Sequence, residues 1–249
     1  MLLSLALLVS GVGTAAAASP GTVPVTTTRG QVDLRVFAPS APPAGGGARP
    51  LVLLLSGEGG WRSFDDVLAA MLTDAGYWVG GFDAMKYFWE PQDDRAALAR
   101  DVRSCLDALA VRAGREGDAG VLLAGFSFGA DLAPWVAGSE GIRDRVRGLV
   151  MISPDETGSL EFRLTELMGF DAKDHTFSVA EALRSAAGIP VLMLHGEKDT
   201  KSAAGVLVAS ASEPKRLLTV PDANHHFTGQ EEKLRAQLLA GIEWLRTAR

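Results

Sequence analysis

The chain has one cysteine, Cys105, in 249 residues. A single cysteine excludes an internal disulfide. Its place among apolar neighbours in a helical pattern reads as a buried, inert thiol. Histidine is nearly as scarce, at four, and no Cys/His cluster has metal-ligand spacing, so the sequence calls for no metal and no cofactor. Basic residues are outnumbered, 24 Lys and Arg against 30 Asp and Glu, and the net charge of −6 argues against a nucleic-acid partner. A membrane-spanning run is missing too: the apolar stretch Leu2 to Val9 is too short to cross a bilayer as a helix. There is no internal repeat.

What is present is ordinary globular composition, 47% hydrophobic and 22% charged, enough for one sizeable core. Residues 20–249 are expected to form a single domain. Residues 1–19 read as a secretory signal peptide: a short apolar core, then Thr14-Ala15-Ala16-Ala17-Ala18-Ser19 with A-x-A cleavage options. No Lys or Arg precedes that core, the first basic residue being Arg29. The expectation is export to the periplasm, with an uncleaved N-terminal anchor as the alternative. Residues 39–50, rich in Pro and Gly, read as a flexible loop.

Apolar runs alternate with helical patterns along the rest. Val32 to Phe37 alternates like an antiparallel edge strand, whereas Leu51 to Leu55 is continuously apolar, as for a strand buried on both faces. Further strands are expected at 77–82, 121–125, 149–152, 191–194 and 217–220. Helices are expected at 64–75, 93–113, 129–137 and 230–246; in the second, Leu98, Val102, Cys105, Leu106 and Leu109 recur at helical spacing. The repeated β-α order implies an α/β fold with a mostly parallel, doubly wound sheet. Residues 155–188 have mixed pattern and are the natural place for a small cap.

Gly125-Phe126-Ser127-Phe128-Gly129 follows the strand at 121 and opens a helix. Strand, G-x-S-x-G, helix is the context of a nucleophile elbow in the α/β-hydrolase fold. The serine needs a strained turn, and a Cβ at either flanking glycine would collide with neighbouring backbone. A serine hydroxyl also needs a base, and the base an orienting carboxylate, in the chain order Ser, acid, His. Asp199 lies just past the strand at 191–194, where catalytic groups collect in open parallel sheets. It also reads as a helix N-cap. Glu197 is the reserve and Asp155 a more distant one. The base follows the last strand, in Pro221-Asp222-Ala223-Asn224-His225-His226-Phe227. His225 is favoured over His226, which would line the site or stack on Phe227. His195 reads as a satisfied core histidine, and His175 falls in the cap segment without an assigned role. The oxyanion hole takes the N–H of Phe128 and a second N–H from Ser56-Gly57-Glu58, with Glu58 first and Gly57 second. That Gly-rich loop lacks the lysine and spacing of a phosphate-binding P-loop.

Together, Leu54-Leu55-Ser56-Gly57-Glu58-Gly59-Gly60-Trp61, Lys86-Tyr87-Phe88-Trp89, Gly125-Phe126-Ser127-Phe128-Gly129-Ala130-Asp131 and His225-His226-Phe227 resemble the VirJ/AcvB family of bacterial virulence proteins. The resemblance runs from about residue 50 to the C-terminus. Glu58 stands where the family has aspartate, Lys86 stands where it has arginine, and the segment after Pro154 matches poorly. The resemblance implies a periplasmic α/β-hydrolase in its single-copy form that cuts the aminoacyl ester of lysyl-phosphatidylglycerol. Such a headgroup carries two amines, for which Asp131 and Asp83 are candidate partners. Asp131 equally suits a helix N-terminus and Asp83 a strand-end turn. Trp61, Tyr87, Phe88, Trp89 and Trp135 are candidates for contact with lipid or a membrane surface, though such residues also fill cores. Two other readings stand beside this one: a carboxylesterase or thioesterase of soluble substrates, and a non-catalytic binding module of a secretion or virulence system.

Overall fold

The computed structural model describes residues 21–40, 49–117, 120–161 and 175–248. The signal segment 1–19, most of the loop at 39–50, and residues 162–174 of the cap segment lie outside the described residues.

Eight strands form one sheet: β1 (Gly21–Thr27), β2 (Gly30–Phe37), β3 (Leu51–Leu55), β4 (Val79–Phe82), β5 (Val121–Phe126), β6 (Val146–Ile152), β9 (Val191–Gly196) and β10 (Lys215–Val220). The spatial order is β1-β2-β4-β3-β5-β6-β9-β10. From β4 to β10 every pairing is parallel; β1 and β2 add an antiparallel end. This is the mostly parallel, doubly wound α/β sheet that the alternation of apolar runs predicts.

The helices sit on both faces. β3 shows why, because its side chains alternate between two cores. Leu51, Leu53 and Leu55 join a cluster with α3 (Arg95–Arg112) and α4 (Phe128–Ala137). Val52 and Leu54 join the opposite cluster with α1 (Ser63–Asp74) and α6 (Glu231–Thr247). All five are buried, which is why the run reads as unbroken hydrophobic sequence. At about 2 kcal/mol for each large aliphatic side chain removed from water, this strand alone contributes on the order of 10 kcal/mol of gross driving force. Cys105 is fully buried on the α3 side, and burial pushes its thiol up to about 12, which leaves it protonated and inert.

The strand at 32–37 is antiparallel as expected but is not the edge. β1 covers it, in register from Gly21 opposite Val36 to Thr27 opposite Gly30. Pro24 hides β1 in the sequence, since proline argues against a central strand; it is tolerated on the outermost one. The turn after β1 is tied to the core by Asp101 on α3, whose carboxylate accepts from the Thr28 N–H (2.8 Å), the Thr28 hydroxyl (2.6 Å) and the Tyr87 hydroxyl (2.7 Å).

Between β6 and β9, the described part of 155–188 holds a two-stranded antiparallel ribbon, β7 (Thr157–Ser159) with β8 (Thr176–Ser178), and then α5 (Val179–Ser185). Thr157 and Ser159 bring the ribbon to the end of the sheet at which Ser127 stands. Val179, Ala182 and Leu183 of α5 join the α3–α4 cluster, so the helix belongs to the outer layer that covers the sheet.

Candidate active site

Ser127 is the turn between β5 and α4. Its backbone is in the left-handed region, φ 53° and ψ −123°, and its N–H donates to the Ile152 carbonyl at 2.8 Å. The flanking glycines have the expected cause. An ideal Cβ on Gly125 would lie 2.1 Å from the Gly129 carbonyl, and one on Gly129 would lie 2.1 Å from the Leu55 carbonyl oxygen. The chain therefore passes backbone against backbone, and the serine side chain stands out from the sheet.

His225 reaches this serine from the loop after β10. Asn224 shapes that loop by accepting from the His226 and Thr228 N–H groups with its side-chain oxygen, each at 3.1 Å. The end of β9 packs on the same loop: a Cβ on Gly196 would stand 2.3 Å from the Ala223 carbonyl oxygen. His225 Nε2 lies 3.3 Å from Ser127 Oγ, and Nδ1 lies 2.9 Å from Asp199 Oδ2 and 3.1 Å from Oδ1. The three residues come together from three loops at the carboxyl edge of the sheet, with the His225 imidazole between a hydroxyl and a carboxylate.

Asp199 caps no helix, since the next one, Ala204–Leu207, has Ala203 at its N-cap position; it holds a turn and meets the His225 ring instead. Its Oδ1 accepts from the Lys201 N–H (3.0 Å) and the Ser202 N–H (3.2 Å), which closes the turn after β9, and its carboxylate also meets His225. Burial alone would raise its carboxyl. The Ser153 hydroxyl, the His225 ring and the Lys201 N–H overcome that and hold it below the ordinary carboxylate range. The reserve acids have other partners: Glu197 accepts from the Asp222 N–H at 2.9 Å, and Asp155, in the cavity wall, from the Glu156 N–H at 2.6 Å.

His226 makes no such contact. Its ring meets Phe126, Phe64 and His225 edge-on, at centroid distances of 5.6, 6.4 and 5.2 Å. Burial first, then the neighbouring His225, lowers its pKa and favours the neutral ring. The second histidine is thus a partly polar wall for the first. Phe227 is fully buried and stacks on Phe64 instead, at 6.0 Å. His195 is half-exposed and pairs with the Thr219 hydroxyl at 3.0 Å, and His175 pairs with Asp93 at 2.7 Å.

These residues open on a cavity of about 560 Å³. Its walls include Gly57, Glu58, Phe128 and Asp131 from the sequence-derived candidates, and Thr157 and Ser159 from the β7 ribbon. A Cβ on Gly57 would stand 3.7 Å from Ser127 Cβ, so the loop after β3 lies beside the elbow. Asp131 is 2% exposed and accepts from the Asp155 N–H at 2.8 Å.

Two candidates are not brought to this cavity. Asp83 caps α2 (Ala84–Tyr87) by accepting from the Lys86 N–H at 3.2 Å. It lines a separate depression with Lys86, Trp89 and Arg29; its strand-end position, one residue past β4, carries it behind the Gly57–Gly60 loop. Trp61 is spent on packing. It stacks on Phe37 at 5.7 Å and lies across Gly81, and its indole N–H donates to Asp66 at 2.8 Å. Of the other aromatics, Tyr87 and Phe88 are buried and Trp135 packs on Phe177 at 4.5 Å, which leaves Trp89 as the exposed one at 51%.

Asp65 and Ser153 are among the cavity residues not found from sequence. Asp65 is 2% exposed in the first turn of α1; its Oδ2 accepts from the Arg62 N–H at 2.7 Å while Oδ1 has no hydrogen-bond partner among the described residues. Burial above all, with the charges of Asp66 and Asp83 adding to it, pushes its carboxyl up to about 6. Its place at the third position of a helix was the available signal. Ser153, directly after β6, carries no motif. Among the described residues no group of three or more His, Cys, Asp and Glu could hold a metal ion, and no helix is long and apolar enough to cross a membrane.

The strand order, the elbow at Ser127 and the loops meeting at the carboxyl edge of the sheet define an α/β-hydrolase-fold protein. Solved structures agree on that fold. The esterase domain of a Rhodothermus marinus protein matches with a TM-score of 0.63 at 17% identity, covering 92% of this chain and 98% of its own. Dienelactone hydrolase from Anabaena variabilis matches with a TM-score of 0.65 at 19% identity, covering 92% and 98%. Within that fold the chain belongs to the VirJ family of bacterial virulence proteins, whose model matches residues 50–245. The uncharacterized protein Rv2307c of Mycobacterium tuberculosis is 30% identical over 193 residues, which is 74% of this chain and 66% of that protein. The match thus spans just under two thirds of that relative's length.

Proposed function

We propose that the protein is a serine hydrolase of esters, with Ser127, His225 and Asp199 as its catalytic triad. The observation that carries this reading is the His225 imidazole held between Ser127 Oγ and the Asp199 carboxylate. Ser127 attacks the ester carbonyl while His225 Nε2 takes its proton. Asp199 fixes the ring tautomer and offsets the imidazolium charge. The Phe128 N–H and an N–H of the Gly57–Glu58 loop face the developing oxyanion. The His225 proton then goes to the leaving alcohol, an acyl-enzyme remains, and water releases it by the same steps in reverse.

The substrate we favour is an aminoacylated phospholipid of the lysyl-phosphatidylglycerol kind, met by an exported protein on the periplasmic side. Family membership supports this, and so does the cavity. Four carboxylates line it, Glu58, Asp65, Asp131 and Asp155, against two cationic side chains, Arg62 and Lys201. An acidic wall suits an acyl group that bears ammonium charges. Trp89, exposed beside Lys86, suits shallow contact with a lipid surface. Hydrolysis of a soluble carboxylic ester is the second reading, favoured by the likeness in fold to an esterase domain and a dienelactone hydrolase.

A fluorophosphonate probe tests the chemistry. The mature protein is expected to gain one adduct by intact mass, and Ser127→Ala none. Absence of an adduct on the unaltered protein would remove the triad and leave a binding module. Release of lysine from lysyl-phosphatidylglycerol, set against a short-chain p-nitrophenyl ester, then separates the two substrate readings.

A further inference from the structure

Ser153 is the first residue after β6, and β6 runs between the strand that carries Ser127 and the strand that leads to Asp199. Its N–H donates to the Leu194 carbonyl of β9 at 2.8 Å, while the neighbouring Ile152 carbonyl accepts from the Ser127 N–H at 2.8 Å. The residue therefore occupies the seam between nucleophile and acid, and it lines the cavity that both serve.

Two of its properties are not explained by packing. Its φ is +52°, in the left-handed region where glycine is the unstrained choice and a side chain is held at a cost. The side chain is also 2% exposed, and its Oγ makes no hydrogen bond of standard geometry among the described residues. Buried hydroxyls are nearly always satisfied, and strain of this kind persists chiefly where function maintains it. Asp199 offers the matching acceptor. Its Oδ1 already takes two backbone N–H groups, whereas Oδ2 takes none and has the His225 ring at 2.9 Å, and the Ser153 hydroxyl is close enough to help hold this carboxyl low. A carboxylate oxygen accepts two donors without difficulty.

Building on the triad reading above, we propose that Ser153 is a positioning residue for Asp199. Its hydroxyl donates to the carboxylate while His225 carries the proton taken from Ser127, so that the carboxylate stays turned to the imidazole through the cycle. The left-handed backbone aims the hydroxyl there. A glycine at this position would relieve the strain but would carry no donor.

The test compares the unaltered protein with Ser153→Ala and Ser153→Gly, by the rate at which Ser127 reacts with a fluorophosphonate from pH 5 to 9. Ser153→Ala removes the hydroxyl and keeps the strain, whereas Ser153→Gly removes both. Thermal unfolding shows whether each is folded, and Ser153→Gly is expected to be at least as stable as Ser153→Ala. His226 and Lys201, the other titratable groups beside His225 and Asp199, are unchanged throughout. Both variants are expected to label about tenfold more slowly. Their rise in rate with pH should shift to higher pH, because a carboxylate without its donor holds a proton on His225 more strongly. Wild-type rate with an unmoved pH limb in either folded variant overturns the proposal alone. So does a slower rate without a moved limb, which a merely structural serine would give. Failure of the unaltered protein to label at all overturns the triad, and the proposal with it.

Discussion

Two aspartates are buried about the active site, one in the wall of the cavity and one behind His225, and the two carboxylates end in opposite states. Asp199, after β9, is held low, because two backbone N–H groups, His225 and the nearby Ser153 hydroxyl more than offset its burial. Asp65, in the first turn of α1, is pushed up to about 6 chiefly by burial, against which the Arg62 N–H serves one of its oxygens while the other has no hydrogen-bond partner among the described residues. Asp65 is the more deeply buried, and fewer donors are aimed at it. At neutral pH the first carboxylate is kept charged by its surroundings, and the second is charged against them.

The sharpest way to break this contrast is Asp199→Asn. The amide oxygen can still accept from Lys201 and Ser202, but His225 loses the acceptor that sets its tautomer. Ester hydrolysis is expected to fall by about 10⁴-fold with the fold intact, measured as kcat on an activated ester beside a thermal melt. Replacement of the neighbouring ring sorts the two histidines next: His225→Ala should cost at least about 10²-fold in kcat. His226→Phe, which keeps an aromatic wall against Phe64 and Phe126, should cost less than that.

The smallest effect concerns stability and has opposite signs for the two aspartates. Asp65 binds its proton more tightly in the folded chain, so between its ordinary value of 3.8 and about 6 stability falls as pH rises, and it stays lower above that window. Asp199 does the reverse: its contribution is present above its ordinary value and is lost as pH falls below it. Asp65→Asn is expected to raise stability at pH 7 by about 1–3 kcal/mol, or several degrees in Tm, with little gain at pH 4. An equal gain at both pH values would show that the carboxylate charge is not the cause.

The parts of the site that were legible in the sequence are those fixed by local spacing. G-x-S-x-G forces the elbow because backbone meets backbone on both sides of Ser127. The runs at 51–55 and 191–194 announce buried parallel strands, and catalytic groups follow such strands. Adjacency across the fold was not legible. Asp83 and Trp61 each stand near a catalytic loop in sequence, yet the loop at 57–60 separates Asp83 from the cavity, and Trp61 turns to Phe37. Ser153 went unnoticed for the opposite reason. It has no motif, and its significance is a backbone angle and a neighbour 46 residues downstream. β1 was hidden by Pro24, a residue whose meaning depends on whether a strand is outermost.

The elbow glycines have one more consequence. Gly125 and Gly129 are fixed by carbonyl groups barely two ångströms from where a side chain would begin, whereas Gly205 has open space around it. The serine between them is under no such constraint, since its own side chain stands free of the sheet. The pentapeptide therefore carries two independent records. Its glycines report ancestry of the fold, and its middle residue reports whether the chemistry is still in use. A descendant that had given up hydrolysis would be expected to keep the frame and lose the centre.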